Sequence, residues 1–186
     1  MKKLFLVGLI CLTASCTYLD RKVKLDMSLE QEKSDVAIDK SFEILVIDER
    51  RNKKLLGTKE LGEQKVKIFV DGDLATFLQN QLTENLLQKG FKLGIDKTIT
   101  LKIKAFDYKA KREVVVGRSK AGIKLQLAIK DNQTGKKFTR NFEVALKNKH
   151  FIAPLESTDA GIINEILQEV LQSILDDEQF MQNLAE

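Results

Sequence analysis

The chain has 186 residues, 31 basic and 27 acidic, for a formal net charge of +4. So small an imbalance argues against a nucleic-acid partner. One proline, no tryptophan and no internal repeat exclude low-complexity and solenoid classes.

The chain opens with Met1-Lys2-Lys3, a mostly apolar run from Leu4 to Leu12, and then Thr13-Ala14-Ser15-Cys16. A basic start, a short apolar stretch and small residues together make an export signal. The run is too short to stay in a bilayer as a helix. Cys16 follows Leu12-Thr13-Ala14-Ser15 and resembles the lipobox cysteine of bacterial lipoproteins. In that pathway the cysteine takes a diacylglycerol thioether, the signal is cut before it, and the new amine is acylated. Several acyl chains give stable anchoring where one alone is marginal. Cys11 is the poorer acceptor, because Leu9 and Ile10 are too bulky for cleavage positions. Thr17 follows the cysteine where an aspartate would favour inner-membrane retention in enterobacteria. The expected location is therefore the periplasmic face of the outer membrane.

Residues 1–15 are thus read as a signal, 16–40 as a lipid-anchored tether and 41–186 as one domain. Cleavage leaves 186 less 15, or 171 residues, enough for a sizeable core. The 31 basic residues less Lys2 and Lys3 leave 29 against 27 acidic. Cys16 becomes the only cysteine, so no intramolecular disulfide is expected.

In the tether, Val23, Leu25, Met27 and Leu29 alternate with polar residues, and part of it could add an edge strand. Phe42 to Ile47 reads as a first, well-buried strand, ended by Asp48-Glu49-Arg50. Residues 51–64 read as a loop or irregular hairpin arm around Gly57 and Gly62, and Lys65 to Val70 as a short strand. From Asp71 to Lys89, Leu74, Leu78, Leu82 and Leu86 recur every four residues and predict a helix. Asp71 or Asp73 caps its start, and Gly90 with Phe91 closes its end.

A β region follows. Ile99, Leu101, Ile103 and Ala105 alternate with polar residues, as do Ile123, Leu125, Leu127 and Ile129. Asp131 to Gly135 is a turn, and Phe138, Phe142, Val144 and Leu146 continue the apolar face, broken only by Arg140. Lys102, Lys104, Lys124 and Lys130 then form a solvated face that discourages edge pairing. Lys109 to Gly122 joins two strands with Val114-Val115-Val116 inside it. After Pro154, Ser157, Thr158 or Asp159 caps a second helix carrying Ile163, Ile166, Leu167, Val170, Leu171 and Ile174. Asp176-Asp177 breaks it before a short final turn or helix with Phe180, Met181 and Leu184. The expected class is α+β: a mainly antiparallel sheet with two main helices packed on one face.

Motifs for chemistry are missing. His150 is the only histidine and has no metal-binding spacing. No Gly-x-Ser-x-Gly elbow and no phosphate-binding Gly-Lys-Ser/Thr sequence occurs. Ser119 and Lys120 are adjacent, so on a strand they face opposite ways and cannot pair. Asp48, Glu49 and Arg50 read as structural strand-end charges rather than a recognition cluster. No catalytic residue, metal or cofactor is expected.

The apolar spacing and polar marks resemble the YajG family of uncharacterised bacterial lipoproteins over residues 42–184. The likeness rests on Ile47-Asp48-Glu49-Arg50, the helix Asp73 to Lys89 ending in Lys89-Gly90-Phe91, and Ile99 to Phe106. It continues through Gly122 to Ile129, Thr134-Gly135, Phe138-Thr139-Arg140-Asn141-Phe142, and then Asn164, Val170, Leu171, Leu175 and Asp176. Cys11 and the lysine-rich strands depart from the pattern. The resemblance implies an outer-membrane lipoprotein with a small α+β periplasmic domain, and it supplies no catalytic residue.

The functional expectation is a non-enzymatic protein, anchored to the outer membrane through acyl chains on Cys16, that binds an envelope protein. The alternative is a lipid or small-ligand binding accessory of an envelope transport system. An enzyme is the third class. The candidate contact is Val114, Val115 and Val116 with Arg118, apolar residues rimmed by Lys111, Arg112 and Lys120. That pattern suits an acidic partner or a membrane surface. Valines that cover a sheet edge or fill a gap under a helix would give the same sequence.

Overall fold

A computed structural model describes residues 20–27, 29, 39–112, 117–150 and 156–186. Eight strands form one sheet: β1 (Arg21–Lys24), β2 (Ser41–Asp48), β3 (Leu55–Leu61), β4 (Gln64–Asp71), β5 (Lys92–Leu93), β6 (Lys97–Arg112), β7 (Gly117–Asp131) and β8 (Lys137–His150). Three helices accompany them among the described residues: α1 (Leu74–Gln88) between β4 and β5, then α2 (Glu156–Leu175) and α3 (Glu178–Ala185) after β8.

The long strand β6 organises the sheet. Antiparallel β7 lies along one side, with β8 beyond it. The other side of β6 is shared end to end by two parallel strands. β2 pairs with residues 97–103 and β3 with residues 108–112. β4 runs antiparallel to β3, and β1 parallel to β4. The α+β class holds, but the sheet is mixed rather than mainly antiparallel. Alternation of side chains is the same in either pairing, so it carries no strand direction.

At the exchange of partners β6 has a bulge between Ile103 and Ala105. The extra residue flips the inward parity. Ile99, Leu101 and Ile103 are buried before it, and Phe106, Tyr108 and Ala110 after it. Ala105, expected to continue the inward row, is therefore only half-buried. Within residues 51–64, Leu55–Leu61 forms β3, an irregular hairpin arm as expected, antiparallel to β4 with a register shift between Leu55 and Gly57, and parallel to β6. Gly57 permits this. A Cβ there would lie 1.8 Å from the Tyr108 carbonyl oxygen, so only glycine lets β3 approach β6. Part of the tether does add an edge strand, β1 beside β4, and of the four alternating residues it contains Val23.

Capping signals act locally. The Asp73 carboxylate accepts the Thr76 N–H at 2.8 Å and starts α1. Gly90, at φ 92°, ends it, with the Phe91 N–H returning to the Leu86 carbonyl. Asp177 caps α3 by accepting from the Phe180 N–H at 2.8 Å. α2 begins at Glu156, so Asp159 sits inside its first turn rather than capping it.

α1 packs over β2, α2 over β7 and β8, and the two helices touch. Leu74, Leu78, Leu82 and Leu86 join Leu101, Ile103, Leu125, Leu127, Ile166 and Val170 in one core, with Val144 at its margin. Each such side chain contributes about 1.5–3 kcal/mol relative to exposure. Both main helices thus cover one sheet face, as expected. Among the described residues no helix packs over the opposite face.

Candidate functional site

The solvent face is not uniform. Around β2 it mixes Glu43, Leu45 and Ile47 with Thr98, Thr100 and Lys102. Beyond the bulge, register aligns cations. One row across five strands reads Lys67, Thr58, Lys109, Lys120, Lys147. The next, across four strands, reads Lys65, Glu60, Lys111, Arg118. Seven of these nine positions are lysine or arginine, and all seven are exposed. At about 4.8 Å per strand the longer row spans about 19 Å. A shallow groove of about 410 Å³ runs between Thr58, Glu60, Lys65, Lys109, Lys111 and Arg118.

Two carboxylates temper the charge. Asp107 lies 2.8 Å from the Lys109 ammonium, and its hydrogen bond pushes the Lys109 pKa up. Glu60 stands 4.0 Å from Lys111. Lys109, Lys120 and Lys147 still oppose one another on three neighbouring strands. Like charges directly opposite are destabilising, so this row costs the fold stability.

Beneath the cations lies a buried polar node on the alternate residues of the same strands. Lys59 of β3 contacts the Asp159 carboxylate of α2 at 2.6 Å. The Tyr108 hydroxyl of β6 donates to the other carboxylate oxygen at 2.6 Å. Arg21 of β1 approaches it at 3.8 Å, and Ser119 of β7 is buried nearby in the sheet, between exposed Arg118 and Lys120. Burial first, and the Asp159 carboxylate second, push the Tyr108 phenol far above its ordinary pKa, so it stays a donor. The node clamps the first turn of α2 to three strands and fixes the sheet beneath the cationic face. Lys59 and Asp159 are almost fully buried, which suits a clamp rather than chemistry on a solute.

Arg118 lies on this face, opposite Lys111 and two residues from Lys120. Arg112 and Gly117 pair at the mouth of the β6–β7 hairpin. Val114, Val115 and Val116 lie outside the described residues, and so does Cys16. Sequence reading missed Lys65, Lys67, Lys109 and Lys147. A signal was present: Lys65/Lys67, Lys109/Lys111 and Arg118/Lys120 are each two residues apart, hence on one strand face. Ser119 and Lys120 do face opposite ways. Asp48 and Arg50 are structural, bonded to each other in a buried pair. Lys102 and Lys104 both contact Glu49, whose pKa their hydrogen bonds hold down.

A family model described as an uncharacterised lipoprotein, Lipoprotein_16, matches residues 28–185. That span contains the residues carrying the YajG likeness and bears it out. The chain matches no curated protein. Among solved structures it is similar to a Xanthomonas campestris protein of the DUF330 family, with 10% identity and a TM-score of 0.61. The alignment covers 83% of this chain and 92% of that one. An uncharacterised protein aligns at 13% identity and a TM-score of 0.51, over 84% and 96% of the two chains. At such identities these two show a shared fold alone. A minor lipoprotein of Acinetobacter baumannii aligns at 12% identity and a TM-score of 0.40, over 74% and 91%. Among the described residues no helix is long and apolar enough to cross a membrane.

Proposed function

The chain belongs to the Lipoprotein_16 family of uncharacterised lipoproteins, and from that premise we propose a non-enzymatic envelope protein, anchored through Cys16, that binds an acidic surface of another envelope protein. The anchor holds it on the periplasmic face of the outer membrane, and the cationic sheet face makes the contact. Val114, Val115 and Val116, between Arg112 and Gly117, supply the apolar part of the same contact.

The opposed lysine rows carry this reading. Their mutual repulsion is a standing cost that an acidic surface across the interface would offset. Such complementarity mainly serves on-rate and partner choice, and it weakens with salt. Carriage of a lipid, the alternative, needs an enclosed apolar cavity of a few hundred cubic ångströms or more. The apolar side chains described between helices and sheet pack against each other instead, which favours the binding reading.

Palmitate labelling of wild type and Cys16→Ala tests the anchor, with label expected only in wild type. A photo-crosslinker placed at Lys147 in intact cells tests the contact. A protein adduct is expected that disappears in Lys109→Glu/Lys120→Glu while the variant still melts cooperatively as a folded domain. Adducts indifferent to charge reversal, or made with lipid alone, reject the reading.

A further inference from the structure

Among the described residues, β2 is open along most of its outer edge. β5 covers only Ser41 and Phe42, where the Gly94 N–H reaches the Phe42 carbonyl. The Glu49 N–H points the other way, to Ile103 on β6. Backbone groups alternate, so Ile44, Val46 and Asp48 turn their N–H and C=O outward, and β2 has no further strand partner among the described residues.

The large apolar side chains exposed among the described residues gather around this edge. They are Leu45 (51% exposed), Ile47 (36%), Leu87 (41%), Leu93 (63%) and Ile95 (76%). Ile44, Leu87, Leu93 and Ile95 help line a groove of about 620 Å³ between β2 and α1. Open edges are ordinarily guarded by charge, proline or cover. This one is lined with aliphatic residues instead.

We propose that the β2 edge pairs antiparallel with the β2 edge of a second copy of this chain, about a two-fold axis through Val46. That register is self-complementary. Val46 faces Val46 and Ile44 faces Asp48 as hydrogen-bonded pairs, forming about six backbone bonds. Leu45 faces Ile47 twice as non-hydrogen-bonded pairs, where side chains approach most closely. Glu43 meets the cluster of Glu49 with Lys102 and Lys104, which carries one net positive charge. Asp48 brings no free charge to the seam, because Arg50 already neutralises it. Such a match to itself, apolar at the centre and complementary in charge at both ends, selects a second copy over an unrelated strand. The resulting contact is isologous and closes as a dimer.

The experiment measures the mass of the full chain, purified in detergent, by light scattering. Wild type is expected at twice the protomer mass. Val46→Pro removes an N–H that points away from β6 and has no strand partner among the described residues, which an open edge tolerates, and should halve the mass. Leu45→Lys alters an exposed side chain and should also halve it, so the test survives if the proline variant fails to fold. A wild type that is monomeric at every concentration overturns the proposal. So does a dimer that persists in Leu45→Lys, or an unrelated protein that co-purifies and is displaced by that substitution.

Discussion

Replacing Asp48 with alanine strips the buried Arg50 guanidinium of its carboxylate. In the native fold the Arg50 Nε lies 2.9 Å from one Asp48 oxygen and its Nη2 lies 2.7 Å from the other. The same guanidinium donates to the carbonyls of Leu55, at 3.0 Å, and Lys53, stapling the link from β2 to β3. Both side chains are only about a twentieth exposed, at 6% and 5%. Removing one member of a buried pair leaves an uncompensated charge and costs about 3–5 kcal/mol. A domain holds only about 5–15 kcal/mol in all, so the loss is a large share. At a urea slope of about 2 kcal/mol/M, the unfolding midpoint should fall by about 2 M. Circular dichroism across a urea series reads it directly. The double variant Asp48→Leu/Arg50→Met replaces both charges with apolar volume. It should lose at least about 2 kcal/mol less than the two single losses added together. If Asp48→Ala costs under about 1 kcal/mol, or the double loss equals the sum, the pair behaves as a surface pair and the reasoning is refuted.

Gly57→Ala should part β3 from β6, because the new Cβ would stand 1.8 Å from the Tyr108 carbonyl oxygen. A loss of about 3 kcal/mol is expected in the same urea assay, and a neutral result would show that the two strands are not in close contact. Asp73→Ala removes the α1 cap and should cost about 0.5–2 kcal/mol at neutral pH. The Thr76 N–H holds the Asp73 carboxyl below its ordinary 3.8, so the cap's full contribution is present above that value. It disappears as pH falls through the lowered folded value. The stability gap between wild type and Asp73→Ala should therefore close on acidification, and a gap that is flat with pH refutes the capping role.

The local grammar of the chain determined a good deal. Leucines four apart, Asp73 before them and Gly90 after them specified α1 within a residue or two of its observed bounds. Ile123 to Ile129 announced a strand with one buried face, and α2 ran along its expected apolar stripe. These features depend on spacing within a few residues, which a sequence displays openly. Phe42 to Ile47 misled because a run apolar at every position but Glu43 looks fully buried. The helices cover only one face of β2, and Leu45 and Ile47 point to the other and are exposed instead. The exchange of β6 partners at the bulge, the parallel course of β2 and β3, and the rows of cations all depend on which strand lies beside which. So does the buried contact between Lys59 and Asp159, a hundred residues apart. Pairing direction and register are settled by long-range packing around a common core, and no window along the chain contains both partners.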